Sequence, residues 1–71
     1  MIYLMVYKSS DGKHGASRFF EEEMRKKLLS MLGATEIFTV SVEGENLQGL
    51  ESMAKKEVEE RGLGPVINLT C

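Results

Sequence analysis

The chain has almost none of the residues with which small domains form covalent or metal cross-links. It contains one cysteine, Cys71, and one histidine, His14, among its 71 residues. A single cysteine excludes a disulfide within these residues, and two candidate ligands cannot form a closed zinc site. A domain of this length buries only about 60% of the surface that its unfolded chain exposes. We therefore expect its stability to depend on tight packing or on self-association.

Two further absences narrow the class of function. The net charge is −2, so the chain lacks the excess positive charge with which nucleic-acid-binding proteins neutralise phosphates. It has no run of about 20 apolar residues, so we expect no membrane-spanning segment. The apolar run at residues 1–7 is too short for a signal-peptide core, and no basic segment precedes it. We expect a cytoplasmic protein for which nucleic acid and membrane are not partners.

The sequence does contain a regular alternation of strand-like and helix-like segments. Residues 2–7 form an unbroken apolar run, which is typical of a strand buried on both faces. Residues 37–42 alternate between an apolar and a half-polar face, which is typical of an edge strand. Residues 66–69 form a third short segment of this kind. We predict three strands in a single α/β domain that covers residues 1–71.

Two helices are predicted between these strands. The first should run from Ser17, as its N-cap, to Leu32, with glutamates in its first turn and Gly33 just beyond its end. Its apolar residues recur every four positions, at Phe20, Met24, Leu28 and Leu32. The second helix should follow Asn46 as its N-cap and end at Gly62.

The element order β-α-β-α-β predicts a small three-stranded parallel sheet, because helices of this length connect parallel strands. Strand order 2-1-3, with helices on both faces, is favoured over 1-2-3 because strand one is apolar on both faces. A mixed sheet that resembles a shortened ferredoxin-like α+β fold is the alternative. In a parallel sheet, ligands bind beyond the carboxyl ends of the strands, where the strand order reverses. For order 2-1-3, the segment after strand one and the end of strand three should meet there.

The candidate ligand site is the polar segment that follows strand one. Its lysines and serines supply hydrogen-bond donors, its glycines permit close backbone approach, and the predicted helix N-terminus would attract negative charge. These features favour an anion site, although the segment matches neither GxxxxGK[ST] nor GxGxxG. The alternative is a solvated loop in which Asp11 and Gly12 form the turn. The predicted ligand-binding residues are Lys8, Ser9, Ser10, Gly12, Lys13, His14, Gly15, Ser17 and Cys71.

The two most reactive side chains do not form a catalytic motif in the sequence. His14 is a candidate general acid or base, but a lone histidine in a glycine-containing loop is commonly an exposed loop residue. Cys71 is a candidate nucleophile, but it has neither a neighbouring histidine nor a CxxC partner. We therefore predict no catalytic residue, no metal ligand and no cofactor.

Three functions remain open. The first is a small non-catalytic binding or regulatory module that recognises an anionic ligand through residues 8–17, or a protein partner. The second is a small enzyme or enzyme subunit that uses His14 with the lysines and serines of that segment. The third is a purely structural oligomeric protein. We favour the first, and we expect a homodimer because unpaired sheet edges invite pairing. Its interface should include strand two or strand three together with apolar helix residues such as Phe19 and Leu29.

Overall fold

The computed structural model describes residues 1–69, which form strands and helices in the order β-β-α-β-α-β. The strands are β1 (Ile2–Lys8), β2 (His14–Phe19), β3 (Thr35–Val42) and β4 (Val66–Ile67), and the helices are α1 (Met24–Leu32) and α2 (Leu47–Arg61). Neither helix in this described part of the chain has the length and apolarity needed to cross a membrane.

The four strands form one mixed sheet in the order β3-β1-β2-β4. β1 pairs antiparallel with both β2 and β3, whereas β2 and β4 are parallel. The predicted three-stranded parallel sheet with the order β-α-β-α-β is therefore wrong. The ferredoxin-like alternative does not fit either, because its elements run β-α-β-β-α-β. β1 nevertheless lies between two neighbours, as its two-sided apolarity indicated.

The error arises in the segment after β1, where the sequence pattern predicted a loop followed by a helix. Ser17, the predicted N-cap, lies inside β2, and the helix begins only at Met24. Phe20, counted as the first member of the helical stripe, precedes the helix and is 69% exposed. β2 pairs along its whole length with β1 and buries Ala16 and Phe19. The local sequence of this segment favours a loop followed by a helix, but pairing with β1 and burial of its side chains make it a strand.

The ends of the helices agree better with the sequence. α1 ends before Gly33, and α2 ends before Gly62, as predicted. The Asn46 side chain accepts a hydrogen bond from the backbone N–H of Gly49 at 3.0 Å, which confirms Asn46 as the N-cap of α2. Such a bond satisfies one of the backbone donors that a helix leaves free at its start.

The main hydrophobic core lies between the sheet and α2. We call this side of the sheet the α2 face, and it carries the even-numbered residues of β1. The buried residues of this core are Ile2, Leu4, Val6, Ala16, Phe38, Leu50, Ala54 and Val58. Burial of a leucine-sized side chain contributes about 1.5–3 kcal/mol, so this core supplies much of the stability.

The opposite side of the sheet, the α1 face, carries the odd-numbered residues of β1. Met5 and Phe19 are buried there, and the ring of Tyr3 stacks on that of Phe19 with centroids 5.0 Å apart. Arg25 of α1 reaches across to Glu36 of β3, with Nε 3.6 Å from the carboxylate. Phe19, which we expected at a dimer interface, is only 1% exposed and is enclosed within its own chain.

Candidate functional site

A tight turn at residues 9–13 connects β1 and β2. The backbone N–H of Gly12 donates to the carbonyl of Ser9 at 3.0 Å, and the N–H of Ser9 donates to the carbonyl of Lys13 at 2.8 Å. Gly12 has a φ of 87°, a left-handed conformation that completes a three-residue hairpin loop. Asp11 and Gly12 therefore form a turn, which confirms the alternative prediction for these two residues.

The Asp11 carboxylate belongs to this turn. It accepts hydrogen bonds from the hydroxyl of Ser9 and from the backbone N–H of Lys13, the latter at 3.1 Å. The Ser9 hydroxyl bond, followed by the Lys13 backbone bond, lowers the pKa of Asp11 below the ordinary value of 3.8. An ionised carboxylate thus occupies two of the donors that the anion hypothesis assigned to a ligand.

Tyr7 and Gly15 face each other across the hairpin on the α1 face. A Cβ atom added to Gly15 would lie 2.6 Å from the Tyr7 hydroxyl oxygen and 2.7 Å from the ring carbon that bears it. The phenol ring therefore lies directly against the Gly15 backbone. Only glycine allows a ring to approach a strand this closely.

A cavity of about 310 Å³ opens between the turn, α1 and β4. We call it the hairpin cavity, and its lining combines polar and apolar residues: Ser9, Asp11, Lys13, His14, Tyr7, Gly15, Leu32 and Ile67. Its volume is at the lower end of the range of about 300–1,000 Å³ that is usual for small-molecule sites. The lining of the cavity thus includes a lysine, a histidine and hydroxyl-bearing residues together with two partly exposed apolar residues.

The hairpin cavity contains only part of the predicted site. Ser9, Lys13, His14 and Gly15 line it. Lys8 and Ser10 are exposed outside it, and Ser17 lies further along β2, opposite Met5. Cys71 falls outside the described residues.

Gly12 lines a second cavity of about 370 Å³, on the side of the turn that faces Leu63 and Pro65. Lys13, His14 and Ile67 line both cavities, so the two adjoin at the turn. These shared residues make the turn and β4 the centre of the concave surface at this end of the sheet.

Two geometric supports of the anion hypothesis are missing. The helix N-terminus that was expected after the candidate segment is replaced by β2, and α1 begins beyond the far end of that strand. β4 begins beside the turn and runs parallel to β2, away from the turn. The prediction instead placed the end of this strand next to the candidate segment. The predicted meeting point of strands one and three therefore does not exist.

Arg18 is an important residue that the sequence analysis missed. Its guanidinium forms an ion pair with Glu51 of α2 at 3.1 Å and donates to the carbonyls of Asn68 and Leu69 at 3.2 and 2.8 Å. It thereby links β2, α2 and the segment after β4. The sequence offers one signal for this role. Arg18 follows Ala16 by two positions, and residues two apart in a strand lie on the same face of a sheet, but this spacing is informative only if residues 14–19 are known to be a strand.

A reaction near the turn would need reactive side chains with partners that assist it. Within residues 1–69, the His14 side chain has no hydrogen-bonded acid or nucleophile, and Asp11, the acid in the cavity, is engaged by Ser9 and Lys13. The same residues contain no group of three or more His, Cys, Asp or Glu side chains placed to hold a metal ion. No known family model, curated protein or solved structure matches the chain.

Proposed function

We propose that the chain is a small non-catalytic binding module whose hairpin cavity accepts a small ligand with one anionic group and an apolar part. The observation that carries the proposal is the composition of the cavity, whose lining combines Lys13 and His14 with Leu32 and Ile67. Leu32 and Ile67 are 42% and 57% exposed, so an apolar ligand group would remove their surface from water.

The charge of the turn limits which anions fit. The backbone N–H of Lys13 already donates to Asp11, so the Lys13 ammonium, whose charge also interacts with the Asp11 carboxylate, is the group of this residue that can pair with a ligand anion. The Asp11 carboxylate is ionised at neutral pH and would repel a second negative charge. A carboxylate with an apolar tail therefore fits better than a nucleotide or a polyphosphate.

An NMR titration with hexanoate, acetate and inorganic phosphate tests this proposal. Hexanoate should shift the amide signals of residues 7–15, 32 and 67 and should bind more tightly than acetate, because only hexanoate carries an apolar tail. Lys13→Ala should weaken hexanoate binding about three- to tenfold, which corresponds to about 0.7–1.4 kcal/mol for one partly exposed ion pair.

Lys8→Ala is the matched control, because Lys8 ends β1 on the same hairpin but does not line the hairpin cavity. It should change the affinity less than twofold. An equal loss for Lys8→Ala and Lys13→Ala would indicate general charge attraction and would contradict a defined site. The absence of any localised shift at millimolar hexanoate would also contradict it.

A protein partner is the second candidate, and the exposure of the α1 side favours it. Phe20 is 69% exposed and Met31 is 82% exposed, and no residue of α1 is buried. Exposed apolar side chains of this size are common at interaction surfaces. If none of the three anions shifts the cavity residues, recognition through α1 replaces ligand binding as the proposed function.

A further inference from the structure

The outer edge of β3 is the longest unpaired strand edge among residues 1–69. β3 has eight residues and only one neighbour, β1, whereas β4 at the opposite edge has two residues. Residues 37–42 carry no charge, although 28% of the residues of the chain are charged. The same six positions contain no proline and are mostly β-branched or aromatic.

Natural proteins usually protect such an edge with charged residues, proline or a bulge. β3 has one irregularity, opposite Val6 and Tyr7, which leaves Ile37 without a partner on β1. From Phe38 to Val42 the pairing with β1 is regular. This part of the edge is therefore able to accept another strand along its length.

We propose that β3 pairs antiparallel with β3 of a second copy of the chain, so that two four-stranded sheets become continuous across a two-fold axis. Antiparallel pairing of two identical edges requires an axis normal to the sheet, so both α2 helices lie on one side and both α1 helices on the other. This surface is separate from the hairpin cavity, and the proposal does not depend on ligand binding.

The side chains of β3 are compatible with pairing to themselves. The axis has to pass through a residue position, because directly opposed residues point to the same face of a sheet. With the axis at Thr39, Phe38 lies opposite Val40, and with the axis at Val40, Phe38 lies opposite Val42. Val40 and Val42 are only partly buried in one chain, so either register adds apolar contacts on the α2 face.

The charges at the two ends of β3 indicate a second copy as the occupant. The acidic residues nearest to the uncharged run are Glu36 and Glu43, one at each end. An axis at Val40 pairs the uncharged run Phe38–Val42 with itself, and an axis at Thr39 pairs Phe38–Val40 with itself. Neither register opposes two carboxylates, which would be destabilising.

The Glu36 charge is also balanced within its own chain. Arg25 lies 3.6 Å from its carboxylate, and the Thr39 hydroxyl donates a hydrogen bond to it. The approach of a second β3 therefore does not bring an uncompensated negative charge to the interface. A basic peptide would have no acidic residue to pair with between positions 37 and 42.

The size of the contact sets the expected affinity. A stable homodimer usually buries at least about 1,200 Å² in total, and one strand edge with its flanking side chains provides less. We therefore expect a reversible dimer with a dissociation constant in the micromolar range rather than a permanent one. The mass in sedimentation should rise with concentration from 8.0 kDa toward twice that value.

Sedimentation velocity from about 1 µM to 1 mM, on the wild-type chain and on two lysine variants, tests the pairing. Ser41→Lys places a charge on the straight part of the edge and should raise the dissociation constant at least about tenfold. Ser10→Lys makes the same change at an exposed serine of the β1–β2 turn and should leave the dissociation constant unchanged. Circular dichroism at 1 µM should show the same fold for all three chains.

Hydrogen exchange gives a readout that does not depend on a variant. In a monomer, only every second amide of residues 38–42 is bonded to β1, so the others exchange rapidly. In the paired state all of these amides should be protected at millimolar concentration. A mass of 8.0 kDa up to 1 mM, or a dimer that Ser41→Lys does not weaken, would overturn the proposal.

Discussion

The two faces of the sheet differ in how completely their helices are packed. On the α2 face, Leu50, Ala54 and Val58 of the helix are buried against β1 and β3. On the α1 face, the strand residues Met5 and Phe19 are buried, but no residue of the helix is. The same sheet therefore has one helix that is part of the core and one that only covers it.

The lengths and ends of the helices explain this difference. α2 has 15 residues and a side-chain cap at Asn46, whereas α1 has nine residues and no side-chain hydrogen bond at its N-cap, Glu23. A helix as short as α1 is marginal without tertiary packing. Its ion pairs from Arg25 to Glu22 and Glu36 are partly exposed and contribute about 0–1 kcal/mol each.

The looser packing of α1 affects the hairpin cavity. Leu32, at the end of α1, lines it, so part of the cavity belongs to the less firmly packed helix. Local opening requires less free energy where few apolar groups are buried. We therefore expect the cavity to adjust its width to a ligand through α1, while the hairpin and α2 keep their positions.

The largest expected effect comes from truncating a leucine on each face. Leu50→Ala removes a fully buried side chain from the α2 face and should lower the free energy of unfolding by about 2–5 kcal/mol. Leu28→Ala removes a half-buried side chain from α1 and should lower it by about 1 kcal/mol. Urea denaturation followed by circular dichroism measures both. Equal losses for the two variants would mean that α1 is packed as firmly as α2.

A smaller effect is expected at the close contact between Gly15 and Tyr7 on the α1 face. Gly15→Ala places a methyl group against the Tyr7 ring and should lower the free energy of unfolding by about 1–3 kcal/mol. In the double variant Gly15→Ala, Tyr7→Val the ring is absent, so the loss should be smaller than the sum of the two single losses. Ser17→Ala, on the same strand, is the control. Additive losses would show that the contact with Tyr7 is not the cause.

Some of this fold follows from local sequence patterns. The apolar residues 2–7 predicted an interior strand, and Asn46 and Gly33 marked helix ends, because burial on two faces and capping each depend on a short stretch of chain. β2 could not be recognised in this way. It contains a glycine, a serine and an arginine, and its conformation depends on pairing with β1.

Asp11-Gly12, which follows the apolar run after Lys8, Ser9 and Ser10, is an indication of a β-hairpin. The predicted role of these two residues was only that of a turn within a loop. A hairpin at this point requires an antiparallel partner for β1. The parallel topology, the helix after the candidate segment and the meeting of that segment with the end of strand three would then not have been predicted.

The residues of the candidate site also divide into those that a local sequence pattern predicts and those whose position depends on the whole fold. Lys13 and His14 are neighbours in the chain, so their shared position at the cavity needed no knowledge of the fold. Leu32 and Ile67 come from α1 and β4, and their place beside the turn depends on where those elements pack against the hairpin. A repeat of apolar residues every two or every four positions does not show where a strand or a helix packs against the rest of the fold.

The smallest expected effect is the pH dependence of the turn that lines the cavity. The pKa of Asp11 is lowered from 3.8 in the folded chain, by the Ser9 hydroxyl first and then by the Lys13 N–H, so the ionised form favours folding. This contribution is fully present above pH 3.8 and disappears as the pH falls through the lower folded value.

Asp11→Asn keeps an oxygen acceptor for the turn but removes the titration. The melting temperature of the wild-type chain should therefore exceed that of Asp11→Asn at pH 7, and the difference should shrink as the pH falls below 3.8. Leu28→Ala, which changes no ionisable group, should keep a nearly constant difference from the wild type over the same range. A difference between the wild type and Asp11→Asn that does not change with pH would show that the Asp11 charge does not stabilise the turn.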